Sequence, residues 1–140
     1  ACGLQSFPSS WPPSLQQLDL HQNQIGNNIE LVLSGLGALS SLRVLNLEKT
    51  HITVLPQSVG QLQSLEVLHL ADNQLTELPT SMAHLHRLQQ LAVQKNQLQI
   101  LRDQMVSLGS LWSLNLANNQ LTQLPEMIGD LSSLTELRLN

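Results

Sequence analysis

Tyrosine is absent from this chain of 140 residues, and aromatic residues make up only 2% of it. Any core must therefore be aliphatic. The single cysteine, Cys2, excludes an internal disulfide. Charge is scarce at 11%, with six basic and ten acidic residues and a net charge of −4. The basic residues (Arg43, Lys49, Arg87, Lys95, Arg102 and Arg138) are scattered along the sequence. A nucleic-acid surface needs clustered Lys and Arg to neutralise phosphates, and an anionic membrane surface needs the same. Neither partner is expected. No apolar run reaches the ~20 residues of a membrane helix, so no membrane insertion is expected. The sequence holds no Asn-x-Ser/Thr acceptor and no stretch with the character of a signal peptide. With the lone cysteine, this points to a reducing, cytoplasmic setting. The chain does not begin with Met, and it is expected to be a piece of something longer.

What the sequence does have is leucine at a fixed spacing. Leu42, Leu65, Leu88, Leu111 and Leu134 recur every 23 residues. Three residues further on stand Leu45, Leu68, Leu91, Leu114 and Leu137, and two beyond those Leu47, Leu70, Val93, Leu116 and Leu139. Thr50, Asn73, Asn96 and Asn119 follow, then Ile52, Leu75, Leu98 and Leu121. Leu15, Leu18, Leu20, Asn23 and Ile25 repeat the pattern 27 residues before Leu42, and Cys2 and Leu4 fit the end of an earlier unit. Self-similarity at such a period marks a stacked-repeat architecture.

The pattern L-x-x-L-x-L-x-x-N-x-L resembles that of the leucine-rich repeat family, and it covers essentially the whole chain in five consecutive units. With L-x-x-L-P continuing at Leu75 and Leu121, and Ile52 leading a third instance, it is similar to the 23-residue subclass of intracellular Ras-pathway and cell-polarity scaffolds. The expected organisation is one array over 1–140. It comprises a partial repeat 1–14, repeats 15–41, 42–64, 65–87, 88–110 and 111–133, and a partial repeat 134–140. The expected fold is an α/β leucine-rich-repeat solenoid. It has a curved parallel sheet on the concave side and short helical, 3-10 or extended returns on the convex side.

Elementary geometry supports this reading. L-x-L has period two, so both leucines of each strand face the core and the residues between them face out. No single repeat can bury its own leucines, so neighbours must supply the stability. Cys2, Asn23, Thr50, Asn73, Asn96 and Asn119 occupy one slot at the turn after the strand, where a buried side chain can bond the backbone of adjacent units as a ladder. Pro56, Pro79 and Pro125 fix φ and force an extended residue before them, which suits a tight return. Arg102 replaces proline in the fourth unit, whose return is expected to be less constrained. The longer first unit should carry a true amphipathic helix within Asn28–Leu39, with Ile29, Leu33, Leu36 and Leu39 inward. The opening Phe7–Pro13 resembles the proline-rich return of the short repeats in bacterial effectors.

In this family the concave face is the usual binding surface, which here implies the outward positions of each strand. Its columns include Gln90 and Glu136, then His69, Asn115 and Arg138, then Glu48 and Gln94. Flanking positions supply Lys49 on one side and Arg43, Glu66 and Trp112 on the other. Trp112 is the leading anchor, since Trp and Arg carry much of the energy at protein interfaces. Its competing role is to cover a neighbouring aliphatic stem. Arg43, Glu48, Lys49 and Glu66 form a second patch, which could equally be a solvated face.

Signals for chemistry are weak. His84 and His86 form His-x-His, but zinc needs further ligands and none lie near in sequence. His21 and His69 fall two repeats apart, about 10 Å at sheet spacing. No phosphate loop or nucleophile elbow occurs. No catalytic residue, metal or cofactor is expected. The function expected is non-catalytic binding of a protein partner, as a signalling or assembly scaffold. The alternatives are the recognition arm of a larger enzyme or receptor (a kinase, a ubiquitin ligase effector, an immune sensor) or an extracellular ligand-binding ectodomain, although cysteine-stapled caps are lacking. Uncapped terminal leucines would also favour end-to-end self-association.

Overall fold

The computed structural model describes Gly3, Leu4 and residues 6–140. Six three-residue strands form one parallel sheet in sequence order: β1 (Gln17–Asp19), β2 (Val44–Asn46), β3 (Val67–His69), β4 (Gln90–Ala92), β5 (Ser113–Asn115) and β6 (Glu136–Arg138). The register is unbroken. Leu18, Leu45, Leu68, Leu91, Leu114 and Leu137 stand side by side. Each strand turns its leucine inward and its two flanking residues outward, as period two requires. The inward leucines from Leu45 to Leu114 are at most 1% exposed. Beyond them Leu137 is 39% and Leu139 50% exposed, because no described residue stacks on β6.

The returns explain the spacing of the other apolar positions. Pro56, Pro79 and Pro125 each precede a 3-10 turn, at Gln57–Gln61, Thr80–His84 and Glu126–Asp130. Proline's fixed φ fits the observed −69°, −68° and −54°, and its carbonyl accepts the first i to i+3 bond, from Val59, Met82 and Ile128. One side chain per turn, such as Val59, Met82 or Met105, plugs the core from the convex side.

Arg102 stands where those three returns carry proline. It holds φ −82° and ψ 155°, close to the prolines, and its turn Asp103–Ser107 is as long as theirs. Packing between neighbouring turns imposes the conformation that proline only favours. Arg102 also reaches back one repeat to Glu77, Nη2 to Oε2 at 2.7 Å.

The helix in the longer unit is present but shorter than the stretch in which it was expected. A 3-10 turn over Gly26–Asn28 leads into α1 (Ile29–Leu36), which buries Ile29, Val32, Leu33 and Leu36. Leu39 is buried just beyond its end. Trp11 from the opening segment lies against Gly35, where an added Cβ would stand 3.2 Å from the indole.

Candidate functional site

The outward residues of the six strands share one face, and the turns at their ends border it. At the strand entry Arg43 and Glu66 meet across β2 and β3 at 3.6 Å. Trp112 sits in the same row at the entry to β5, half-buried, with its backbone N–H bonded to Gln89 O at 2.9 Å. Three strand steps separate Arg43 from Trp112, about 14 Å at ~4.8 Å each. The two expected anchors are thus at separate points of one face. Half-buried His69, Gln90, Gln94 and Asn115 lie between the two ends, and exposed Arg138 lies on β6.

Lys49 stands apart from the strand face. Gln22, Lys49, Asp72, Lys95 and Asn118 all take positive φ, between 55° and 57°, one per repeat. They form the turn that lifts the chain out of the sheet. That conformation costs a side-chain-bearing residue roughly 1–2 kcal/mol, so five in register are held there by the stack. Lys49 Nζ lies 3.8 Å from Glu48 Oε1. With Asp72 and His51 it borders a hollow of about 440 Å³ at the sheet's edge. Spacing alone places this column beside the strands as flanking positions. The signal available was that no β-branched or aromatic residue occurs in it.

Behind the turn lies the asparagine ladder. Asn73 Nδ2 donates to Leu47 O of the previous repeat at 2.8 Å and to Leu70 O of its own at 3.0 Å. Its Oδ1 accepts from Thr50 N and Ile52 N, both at 3.1 Å. Asn96 and Asn119 repeat the arrangement onto Leu70 and Leu75 and onto Val93 and Leu98. Asn23 accepts from Leu4 N. Thr50 is too short to span repeats in the same way. Its hydroxyl donates to Leu47 O at 2.6 Å and lies 3.2 Å from Asn73 Oδ1. Cys2, read as another member of the ladder, lies outside the described residues.

A second device recurs on the outward face. Asp19, Asn46 and Asn115 each fold a side-chain oxygen onto the N–H two residues ahead: His21 at 3.0 Å, Glu48 at 3.0 Å and Ala117 at 3.1 Å. His21 Nδ1 also lies 2.8 Å from Asp19 Oδ1. Partial burial works to raise the Asp19 pKa. The backbone N–H and imidazole of His21 outweigh it, with a smaller contribution from His69, and the carboxyl is held below its ordinary value. His69 and Ala92 occupy the corresponding places on β3 and β4 and supply no such oxygen. This difference was legible as Asp, Asn, His, Ala, Asn down one column, but its meaning depends on turn geometry.

On the convex side His84 and His86 are exposed. Among the described residues no three His, Cys, Asp or Glu side chains gather as a metal site. No helix among them is long and apolar enough to cross a membrane.

The family model described as "leucine-rich repeat region" matches residues 4–140. No curated protein matches the chain. A leucine-rich repeat protein of Leptospira interrogans is 35% identical over 99% of this chain and 35% of its own length, with a TM-score of 0.86. An internalin of Listeria monocytogenes is 24% identical over 91% of this chain and 36% of its own, with a TM-score of 0.73, and shows likeness of fold alone. The leucine-rich repeat ectodomain of a receptor kinase from Arabidopsis thaliana is 28% identical over 74% of this chain and 59% of its own, with a TM-score of 0.64. The chain thus spans about a third of the first two structures. Matched over nearly all its described length, and carrying the repeat in unbroken register, the chain belongs to the leucine-rich repeat family.

Proposed function

We propose that the chain is a non-catalytic protein-binding module that holds a protein partner on its concave face, as a cytoplasmic signalling or assembly scaffold. The observation that carries this is the outward face itself. Its side chains are not needed by the leucine core, yet they form one continuous surface from Asp19 to Arg138. Leucine-rich repeat folds are generally protein-interaction modules, which supports the reading. Trp112 and Arg43 are residue types that carry interface energy, and their separation suits a partner covering several repeats. Glu48, Lys49, Glu66, His69, Gln90, Gln94, Asn115 and Arg138 supply the polar contacts around them.

The test is affinity capture from a lysate of the source organism, with wild type beside a Trp112→Ala, Arg43→Glu double variant. A protein held by wild type and lost with the variant supports the reading. Equal capture would place the site on the convex side, and no capture would refute the scaffold.

A second reading is favoured by the receptor-kinase ectodomain and by the chain's short span of its neighbours. In it the array is the recognition arm of a longer receptor or enzyme. A catalytic or membrane-anchoring domain in the parent open reading frame would establish that version.

A further inference from the structure

Behind the turns, each asparagine rung fastens its repeat to the one before it by two bonds. Asn73, Asn96 and Asn119 donate Nδ2 to Leu47 O, Leu70 O and Val93 O at 2.8, 2.9 and 2.9 Å. Their Oδ1 atoms accept from Ile52 N, Leu75 N and Leu98 N at 3.1, 3.0 and 3.0 Å. Thr50 makes neither bond to the repeat of residues 15–41. Its hydroxyl donates to Leu47 O of its own repeat, and its amide and hydroxyl face Asn73 Oδ1 of the next. The junction between residues 15–41 and 42–64 is therefore unfastened at its rung.

The backbone differs there as well. Gln74, Gln97 and Gln120 follow their asparagines and donate N–H to Ile52 O, Leu75 O and Leu98 O of the previous repeat, each at 2.9 Å. His51 follows Thr50 and takes φ 61°, a left-handed conformation that none of those glutamines adopts. Left-handed φ is disfavoured for a residue with a Cβ. The bond behind this turn runs in the opposite direction, from Gly26 N to Thr50 O at 3.0 Å, and Gly26 is itself left-handed at φ 47°. What holds the junction lies elsewhere. Leu20 N and Gln22 N bond Asn46 O and Glu48 O across the sheet, both at 2.9 Å. On the convex side Ser58 Oγ donates to Glu30 Oε2 at 3.0 Å, and α1 buries Val32, Leu33 and Leu36. A junction tied at the sheet and at the convex side, and loose at the turn between them, opens at the turn first.

We propose that this junction is a conformational seam: the repeat that carries α1 opens as a body of its own, while residues 42–140 behave as one cooperative stack. The stability of a repeat array is a sum of repeat and nearest-neighbour contributions, so one weak interface divides it. The seam crosses the concave face. Asp19 and His21 stand on the body that opens, and Arg43, Glu66 and Trp112 on the body that stays. A partner touching both sets closes the seam, so Thr50, which is fully buried, sets part of its affinity. The seam itself stands independently of the concave-face reading.

The test is native-state hydrogen exchange of the 15N-labelled chain, read as protection factors of amides that bond across a junction. Leu20, Gln22 and Gly26 report the seam. Leu70 and Asp72, bonded to Ala92 O and Gln94 O, report the junction that Asn96 fastens. Protection is expected to be lower at the seam by roughly tenfold or more, the worth of two hydrogen bonds. Thr50→Asn supplies the missing rung, with Leu20 O and Ile25 N in the places of Leu47 O and Ile52 N. It should raise protection of the seam amides by roughly the same factor and leave Leu70 and Asp72 unchanged. Asn96→Thr copies Thr50 into the interior junction and should lower Leu70 and Asp72 to the level of the seam. Equal protection at the two junctions of the wild-type chain would overturn the proposal. So would a difference that neither substitution changes, which is the behaviour of plain fraying towards a chain end.

Discussion

Replacing Asn73 by alanine should be the most damaging polar truncation in the array. The residue is 8% exposed, and its side chain bonds to two repeats at once. Its Nδ2 serves Leu47 O, Leu70 O and Ala71 O at 2.8, 3.0 and 3.2 Å. Truncation leaves Ala71 O with a second donor, Lys49 N, so that carbonyl loses little. The amides of Thr50 and Ile52 are worse placed, because both residues are fully buried and Asn73 Oδ1 is their acceptor. A buried donor left unsatisfied costs about 1–3 kcal/mol. Two of them, with the lost carbonyl bonds, give an expected cost of about 3–5 kcal/mol. That is a large share of the ~5–15 kcal/mol that holds a typical domain folded. Asn119 is half-buried and accepts from one amide, Leu98 N, so Asn119→Ala should cost only about 1–2 kcal/mol. Urea unfolding at 25 °C measures both. Trp11 and Trp112 lie on opposite sides of Asn73 in the stack, so fluorescence can also show whether the two halves separate. Equal costs for the two variants, or a loss under ~1 kcal/mol for Asn73→Ala, would refute the view that cross-repeat amides stabilise the junction.

Four further outcomes follow from the geometry. Gly60→Ala puts a Cβ 2.6 Å from the backbone oxygen of Ser81 and should cost about 1–3 kcal/mol. Gly37→Ala meets only the mobile end of Gln61, at 2.7 Å, and should stay within ~0.5 kcal/mol in the same urea assay. At Lys95, where φ is 55°, glycine should stabilise by up to ~1 kcal/mol and valine should destabilise by at least as much, read as shifts of the thermal midpoint. The lowered pKa of Asp19 means its cap contributes fully above the ordinary carboxylate value of 3.8 and is lost as pH falls through and below it. Asp19→Asn keeps the capping oxygen, so its urea midpoint should fall less than that of wild type between about pH 5 and pH 3, and a steeper fall would contradict this.

The leucine columns, the parallel register and the asparagine slot were all legible in the sequence. Each follows from a period: two along the strand, and 23 residues from one strand to the next. The pairing of Arg43 with Glu66 could be read from the same spacing, because residues one period apart are neighbours. Arg102 and Glu77 are 25 residues apart, off the period, and their contact emerges only when the returns are stacked. The proline positions announced the returns, but Arg102 shows that the conformation belongs to the stack, since arginine adopts it with no covalent constraint.

The sequence by itself determined that this chain is a solenoid and which side chains face outward, because hydrophobic periodicity is a one-dimensional property. The tertiary structure alone decided which outward groups are satisfied. Asn46 and Asn115 cap their own strand exits, while Ala71 and Gln94 are left uncapped. Hydrogen-bond satisfaction depends on distances of tenths of an ångström between turns, and no residue spacing encodes those.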